Sequence, residues 1–164
     1  GSQVQKETQV ANANESKDNT GIETIMSRRS IRQYKPQAVN RDTMQIILDC
    51  GINAPNGQNK QSWEVRVVDN PDFINGITEI YKKENPKAAE DPKFKNMFRN
   101  ASTVVFIAND PSYDLSQIDC VLSGANMILS ASSIGTGFCC LGGPPRFFTT
   151  TSASPESPRQ LHIP

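Results

Sequence analysis

Neither sign of charge predominates in this chain. Seventeen Lys plus Arg balance seventeen Asp plus Glu, which argues against broad attraction to nucleic acid or to an anionic membrane. No apolar run approaches the length of a transmembrane helix, and no charged-then-apolar signal peptide is present. Four cysteines make no framework. Cys50 and Cys120 fall inside helical patterns, Cys139 and Cys140 are adjacent, and no metal-ligand spacing recurs, so buried free thiols are expected and no metal site. The one histidine, His162, stands without an evident partner and reads as solvated. A Gly-rich dinucleotide loop is also lacking.

At 164 residues the chain is long enough for one domain with a real core. Residues 1–20, "GSQVQKETQVANANESKDNT", are polar and nearly free of large apolar groups. They cannot bury enough surface to offset the entropy of ordering, so a disordered tail is expected, with the domain spanning 21–164. A spacer left after removal of an export signal or lipid anchor would have the same composition.

Beyond the tail the pattern is mixed. Thr20 and Glu23 have the spacing of a capping box, with Ile22, Ile25 and Met26 on one helical face behind them. A second helix is expected from Asn40, where Met44, Ile47, Leu48 and Gly51 recur at i, i+3, i+4 and i+7 before Pro55. "WEVRVV", 63–68, alternates like a half-buried strand. Asn70-Pro71 then opens a helix carrying Phe73, Ile77, Ile80 and Tyr81. The charged stretch 82–93 reads as a solvated loop, or as a lid. "TVVFIA", 103–108, is a buried strand. The next helix places Ile118, Val121, Leu122, Ala125, Ile128, Leu129 and Ser132 on one face and closes at Gly135. "FCCL", 138–141, is expected as a short strand broken by "GGPP". Interleaved helices and strands give a mixed α and β class.

Two stretches carry chemistry. "SRRSIRQYKP", 27–36, gathers Arg28, Arg29 and Arg32 around Ser30. Arginine is a planar, permanently charged fork suited to phosphate, and a serine hydroxyl adds a neutral donor. An exposed basic turn after a helix, favoured by the helix dipole, would look the same. On these residues alone the two readings stand level. In "NAPNGQNKQSW", 53–63, Pro55, Asn56 and Gly57 make a turn of little bulk that a flat ligand can approach. Asn59 and Gln61 supply the mixed donors and acceptors a heterocycle edge needs. An ordinary helix-to-strand connection explains that stretch taken by itself.

Together the stretches resemble the flavin-dependent nitroreductase family over residues 21–164. "RRSIRQY" is similar to the family's N-terminal flavin-phosphate motif. "APNGQNKQSW" resembles its AP-S-x-x-N-x-Q-P-W motif, with Asn56 for the usual serine and Ser62 for the usual proline. The helix "CVLSGANMILSASSIGTG" resembles the long central helix, including Asn126 and the Gly135–Gly137 ending. "CCLGG" resembles the strand and turn beside the flavin ring.

The resemblance implies a three-layer α+β nitroreductase-like fold, with a central, mostly antiparallel sheet flanked by helices. It also implies a homodimer with FMN at the interface. Arg28, Arg29, Ser30 and Arg32 would hold phosphate and ribityl oxygens, and Arg32 would also reach the isoalloxazine N1–C2=O edge. Pro55, Asn56, Gly57 and Asn59 would contact the flavin, the first three from the partner subunit. Leu141, Gly142 and Gly143 would line the ring through main-chain groups. The implied activity is oxidoreduction, NAD(P)H giving hydride through flavin N5 to nitroaromatic or quinone-like acceptors. The cofactor carries the chemistry, so no catalytic acid, base or nucleophile is expected. Alternatives are a same-fold flavin enzyme for dehalogenation or flavin breakdown, and a non-catalytic flavin-binding protein. A cytoplasmic location follows from the family, an exported or lipid-anchored one from the polar tail. Family members usually continue past a point like "LHIP" into a further strand and a wrapping arm, which this chain is expected to lack.

Overall fold

The computed structural model describes residues 20–142. The expectations for the tail, Gly143, the "GGPP" break, His162 and the end of the domain at residue 164 fall outside those residues.

The elements follow local chemistry closely. Helix α1 spans Thr20–Ser27. Helix α2, Arg41–Ile52, is started by Asn40, whose Oδ1 accepts from the Asp42 amide at 2.7 Å and the Thr43 amide at 3.4 Å. That side chain satisfies two of the donors a helix start leaves open. Strand β1, Trp63–Val68, leads to α3, Pro71–Glu84. There Asn70 caps in the same way, and Pro71 occupies a first-turn position where no amide is needed. A short α4, Pro86–Glu90, takes up part of the charged stretch that the sequence presents as loop. Strand β2, Val104–Asn109, and the 18-residue helix α5, Ser116–Ser133, complete the described order.

Among the described residues the sheet has two strands, antiparallel, with Val65 opposite Ile107 and Val68 opposite Val104. Alternation sends neighbouring side chains to opposite faces. Val65, Val105 and Ile107 pack with Ile47, Met127 and Ala131 of α2 and α5. Val68, Val104 and Phe106 pack with Ile74 of α3 and with Phe98, whose ring meets Phe106 edge-on at 5.9 Å. Helices, sheet, then helix and loop make three layers around two apolar clusters.

Helices α2 and α5 approach very closely. A Cβ on Gly51 would lie 2.7 Å from Met127 Cγ, closer than two carbons can sit. Asn126 Nδ2 also donates to the Cys50 carbonyl at 3.0 Å, tying the two helices together.

Four sequence expectations need correction. Helix α5 buries Ser116, Asp119, Ser123, Met127 and Ala131, whereas Ile118 is 56% exposed, Val121 70% and Leu122 36%. Its apolar stripe faces outward because the small-residue stripe permits the close approach to α2 and the sheet. On α3, Phe73 and Ile77 pack against the Val68–Phe98 cluster as the pattern implies, but Ile80 is exposed and the fully buried pair is Ile74 and Thr78. Residues 138–141 form no strand among the described residues, and the Ile31 amide donates to the Phe138 carbonyl at 3.0 Å. The four cysteines are free, but three are half-buried and Cys140 is exposed.

Candidate functional site

Helix α1 delivers the chain into the arginine segment, and its end forms one wall of a cleft of about 280 Å³. Arg28, Arg29 and Ile31 face Ile128 and Ser132 of α5, with Gly135, Thr136, Gly137 and Phe138 completing the lining. The bond from Ile31 to Phe138 fixes the two sides of the segment relative to each other.

The three arginines differ in what they can still bind. Arg29 Nη1 donates to the carbonyls of Met26 at 3.0 Å and Arg28 at 2.8 Å, so part of its fork closes the helix end. Arg28 is half-buried on the cleft wall, and Arg32 is exposed; neither forms an ion pair among the described residues. Tyr34 lies beside Arg32. Its phenol donates to the Ile31 carbonyl at 2.5 Å. Partial burial and nearby Cys139 push its pKa up, while Arg32 opposes them. Ser30 is exposed next to the arginines. Cationic forks, the hydroxyls of Ser27, Ser132 and Thr136, and the apolar faces of Ile128 and Phe138 therefore line one cleft. That donor set fits a phosphate followed by a polyol and a flat ring.

The second stretch lies at the other end of α5. Pro55 is exposed, and Asn56 and Gly57 are half-buried. Asn56 works within its own loop, accepting from the Gln61 amide at 2.9 Å through Oδ1. Gly57 to Asn59 form a 3₁₀ turn, but Gln58, Asn59 and Gln61 have φ of 56°, 52° and 49°. Left-handed backbone is costly for Gln58 and Gln61 and less so for Asn59, since asparagine adopts it more readily. Gly57 is required for another reason, since a Cβ there would meet the Tyr113 hydroxyl and come within 2.8 Å of Leu115 Cδ1.

Asp119 holds this loop, and sequence reading missed it. Its Oδ1 accepts from the Gly57 amide at 2.9 Å and its Oδ2 from the Ser62 hydroxyl at 3.0 Å, with the residue only 2% exposed. Ser116 Oγ donates to the Ser62 carbonyl at 2.6 Å and accepts from the Asp110 amide at 2.8 Å. Beside them Lys60 lies 4.2 Å from the centre of the Tyr113 ring. The Tyr113 hydroxyl has no hydrogen-bond partner among the described residues, and burial, then the Asp119 charge, raises its pKa. One signal was available: Asp119 is the lone charge on the stripe it shares with Ser123, Met127 and Ala131.

The structure thus unites Arg28, Arg29 and the segment before Leu141, and separately unites Pro55, Asn56, Gly57 and Asn59. It does not bring the two groups together within one chain. Asp119 and Ser132 are thirteen residues apart on α5, or about 20 Å along its axis. Leu141 packs its side chain into the Val68–Phe98 cluster, Gly142 is exposed, and Gly143 lies outside the described residues. No group of three or more metal-ligating side chains occurs among the described residues. None of their helices is long and apolar enough to cross a membrane.

These features define a three-layer α+β domain with an arginine-lined cleft at one end of its central helix and a strained, pinned loop at the other. The chain belongs to the nitroreductase family, whose model matches residues 25–152. A protein of Archaeoglobus fulgidus, provisionally named NADH dehydrogenase/NAD(P)H nitroreductase, is 28% identical over 76% of this chain and 68% of its own. An FMN-dependent nitroreductase of Clostridium difficile R20291 superimposes with a TM-score of 0.66 at 30% identity, over 73% of this chain and 59% of that one. A nitroreductase with bound FMN from Bacteroides fragilis gives 0.63 at 28%, over 74% and 68%. This chain therefore spans between about three-fifths and two-thirds of these relatives.

Proposed function

We propose that this chain binds FMN as a homodimer and serves as an NAD(P)H-dependent oxidoreductase for nitroaromatic or quinone-like acceptors. The observation that carries the reading is the cleft, where Arg28 stands half-buried without a carboxylate partner among the described residues. Arg28 and Arg32 would hold the phosphate, and the Ser30, Ser132 and Thr136 hydroxyls would face the polyol. Backbone at Leu141 to Gly143 would run past the ring. FMN, when bound, supplies hydride transfer between the nicotinamide and the acceptor; this chain's residues bind and orient it.

The separation of the two half-sites supports the dimer. Between them α5 exposes Ile118, Val121 and Leu122, and Leu115 and Ile52 are exposed as well. Packing two copies of α5 antiparallel about a two-fold axis would bury this stripe and bring one chain's Asn56–Asn59 loop to the other chain's cleft. Burial of large aliphatic side chains favours such an association. The cytoplasmic location is part of the same reading, and cell fractionation would test it.

The experiment is to refold or saturate the protein with FMN, desalt it, and identify the retained flavin. NAD(P)H oxidation is then followed with and without a quinone. Retained FMN with steady, quinone-dependent oxidation is expected. Retained flavin without turnover would reduce the protein to a binder, and no retained flavin would refute the cofactor.

A further inference from the structure

We infer that Asp119 is a positioning residue, whose buried carboxylate grips both ends of the strained 57–62 loop and holds it in the shape that presents Asn56 and Asn59 to the cofactor. The inference rests on the flavin reading above and adds to it the device that shapes the loop.

Three observations meet here. First, Gln58, Asn59 and Gln61 are left-handed within four positions. Such backbone persists only where its surroundings over-determine it, and it concentrates at functional sites. Second, the two residues flanking that stretch, Gly57 and Ser62, bond to opposite oxygens of one carboxylate, at 2.9 and 3.0 Å. A clamp on both flanks prevents the intervening residues from relaxing to ordinary dihedrals. Third, Asp119 is buried at 2% exposure without a cationic partner among the described residues. A buried carboxylate with only neutral donors is costly, and an apolar residue on this stripe would serve packing better. The cost makes sense if the geometry of the loop matters.

Ser62 ties the clamp to the rest of the fold. It supplies a hydroxyl to Asp119 while its carbonyl accepts from Ser116 and from the Asp110 amide. The loop's C-terminal end is thereby fixed to the start of α5 as well as to β2.

The test uses the full chain in three variants, Asp119→Ala, Asp119→Asn and Ser62→Ala. Hydrogen exchange at the Gly57 amide without flavin reports the clamp, and FMN fluorescence titration reports presentation. Asp119→Asn keeps an acceptor for Gly57 and turns a donor toward Ser62, so its FMN affinity should stay within about threefold of the unaltered chain. Asp119→Ala should expose the Gly57 amide to exchange and weaken FMN by about tenfold or more. Ser62→Ala removes one bond and is the safer variant for folding; a loss of about three- to tenfold is expected, with faster loop exchange and little change in melting. If Asp119→Ala does not fold, Ser62→Ala decides. Unchanged Gly57 exchange in Asp119→Ala, or unaltered FMN affinity in Ser62→Ala or in a folded Asp119→Ala, overturns the proposal. An unaltered chain that takes up no FMN overturns the flavin reading instead, and the Gly57 exchange then judges the clamp alone.

Discussion

Replacing Arg28 by alanine gives the most direct test of the cleft. Arg28 lines it half-buried, and no carboxylate among the described residues pairs with it, so its charge is available to a ligand. A hydrogen bond to a charged group is worth roughly 1.5–3 kcal/mol. At about 1.4 kcal/mol for each factor of ten, FMN dissociation constants should rise roughly 10- to 150-fold. Arg29→Ala should cost less, because Arg29 already donates to the Met26 and Arg28 carbonyls. Arg66→Ala is the control, since that guanidinium is paired with Glu64 on the same strand. Titrations of flavin fluorescence at two salt concentrations provide the measurement, and the gap between the Arg28 and Arg66 variants should narrow at high salt. Superimposable curves for those two variants would refute the phosphate assignment outright.

Gly51→Ala should destabilise the fold, because overpacking against Met127 costs about 1–3 kcal/mol while helix propensity returns only about 1 kcal/mol; a raised melting temperature would contradict this. Combined with Met127→Ala the loss should be less than the sum of the two single losses, as expected of residues in contact. Val121→Glu should leave a monomer in sedimentation experiments and reduce FMN uptake with it, and a dimer of unchanged affinity would refute the α5 interface. Tyr113 is held neutral in the fold, its pKa raised above the ordinary 10.0 first by burial and then by Asp119. The unfolded chain therefore ionises first, so this stability is complete below about pH 10 and is lost as pH rises through the folded value. Tyr113→Phe should accordingly lose less stability than the parent between about pH 8 and about pH 11 in denaturant titrations.

The sequence announced the elements better than their orientation. Asn40 and Asn70 marked two helix starts because capping is local chemistry, readable from side chains next to the amides they satisfy. The strand 63–68 was equally plain, since alternation reflects the pleat itself. Helix α5 was placed correctly along the chain, and its small residues Ser123 and Ala131 are buried as close packing requires, but its apolar stripe at Ile118 and Val121 faces outward. An apolar stripe signals burial against something, and periodicity does not say whether that is the chain's own core or another copy. The arginine cluster and the Asn56–Gly57 turn were legible as residue types at given spacings. The clamp was not, because Gly57 and Asp119 are 62 positions apart and meet only through the fold.

Strands β1 and β2 are neighbours in the sheet but not in the chain, and this has a consequence for how the protein folds. Their nearest paired residues, Val68 and Val104, are separated by α3, α4 and the 91–103 segment. No rung of the ladder can form until that whole excursion has been closed, an entropic cost that grows with the logarithm of its length. The contact from Asn126 to Cys50 spans 76 positions and demands a still larger closure. Helices form from near neighbours in about a microsecond, whereas these pairings reward the chain only after distant segments have met. Early refolding should therefore show helical circular dichroism before protection of the β1 and β2 amides. Shortening the excursion between Val68 and Val104 should quicken the second phase.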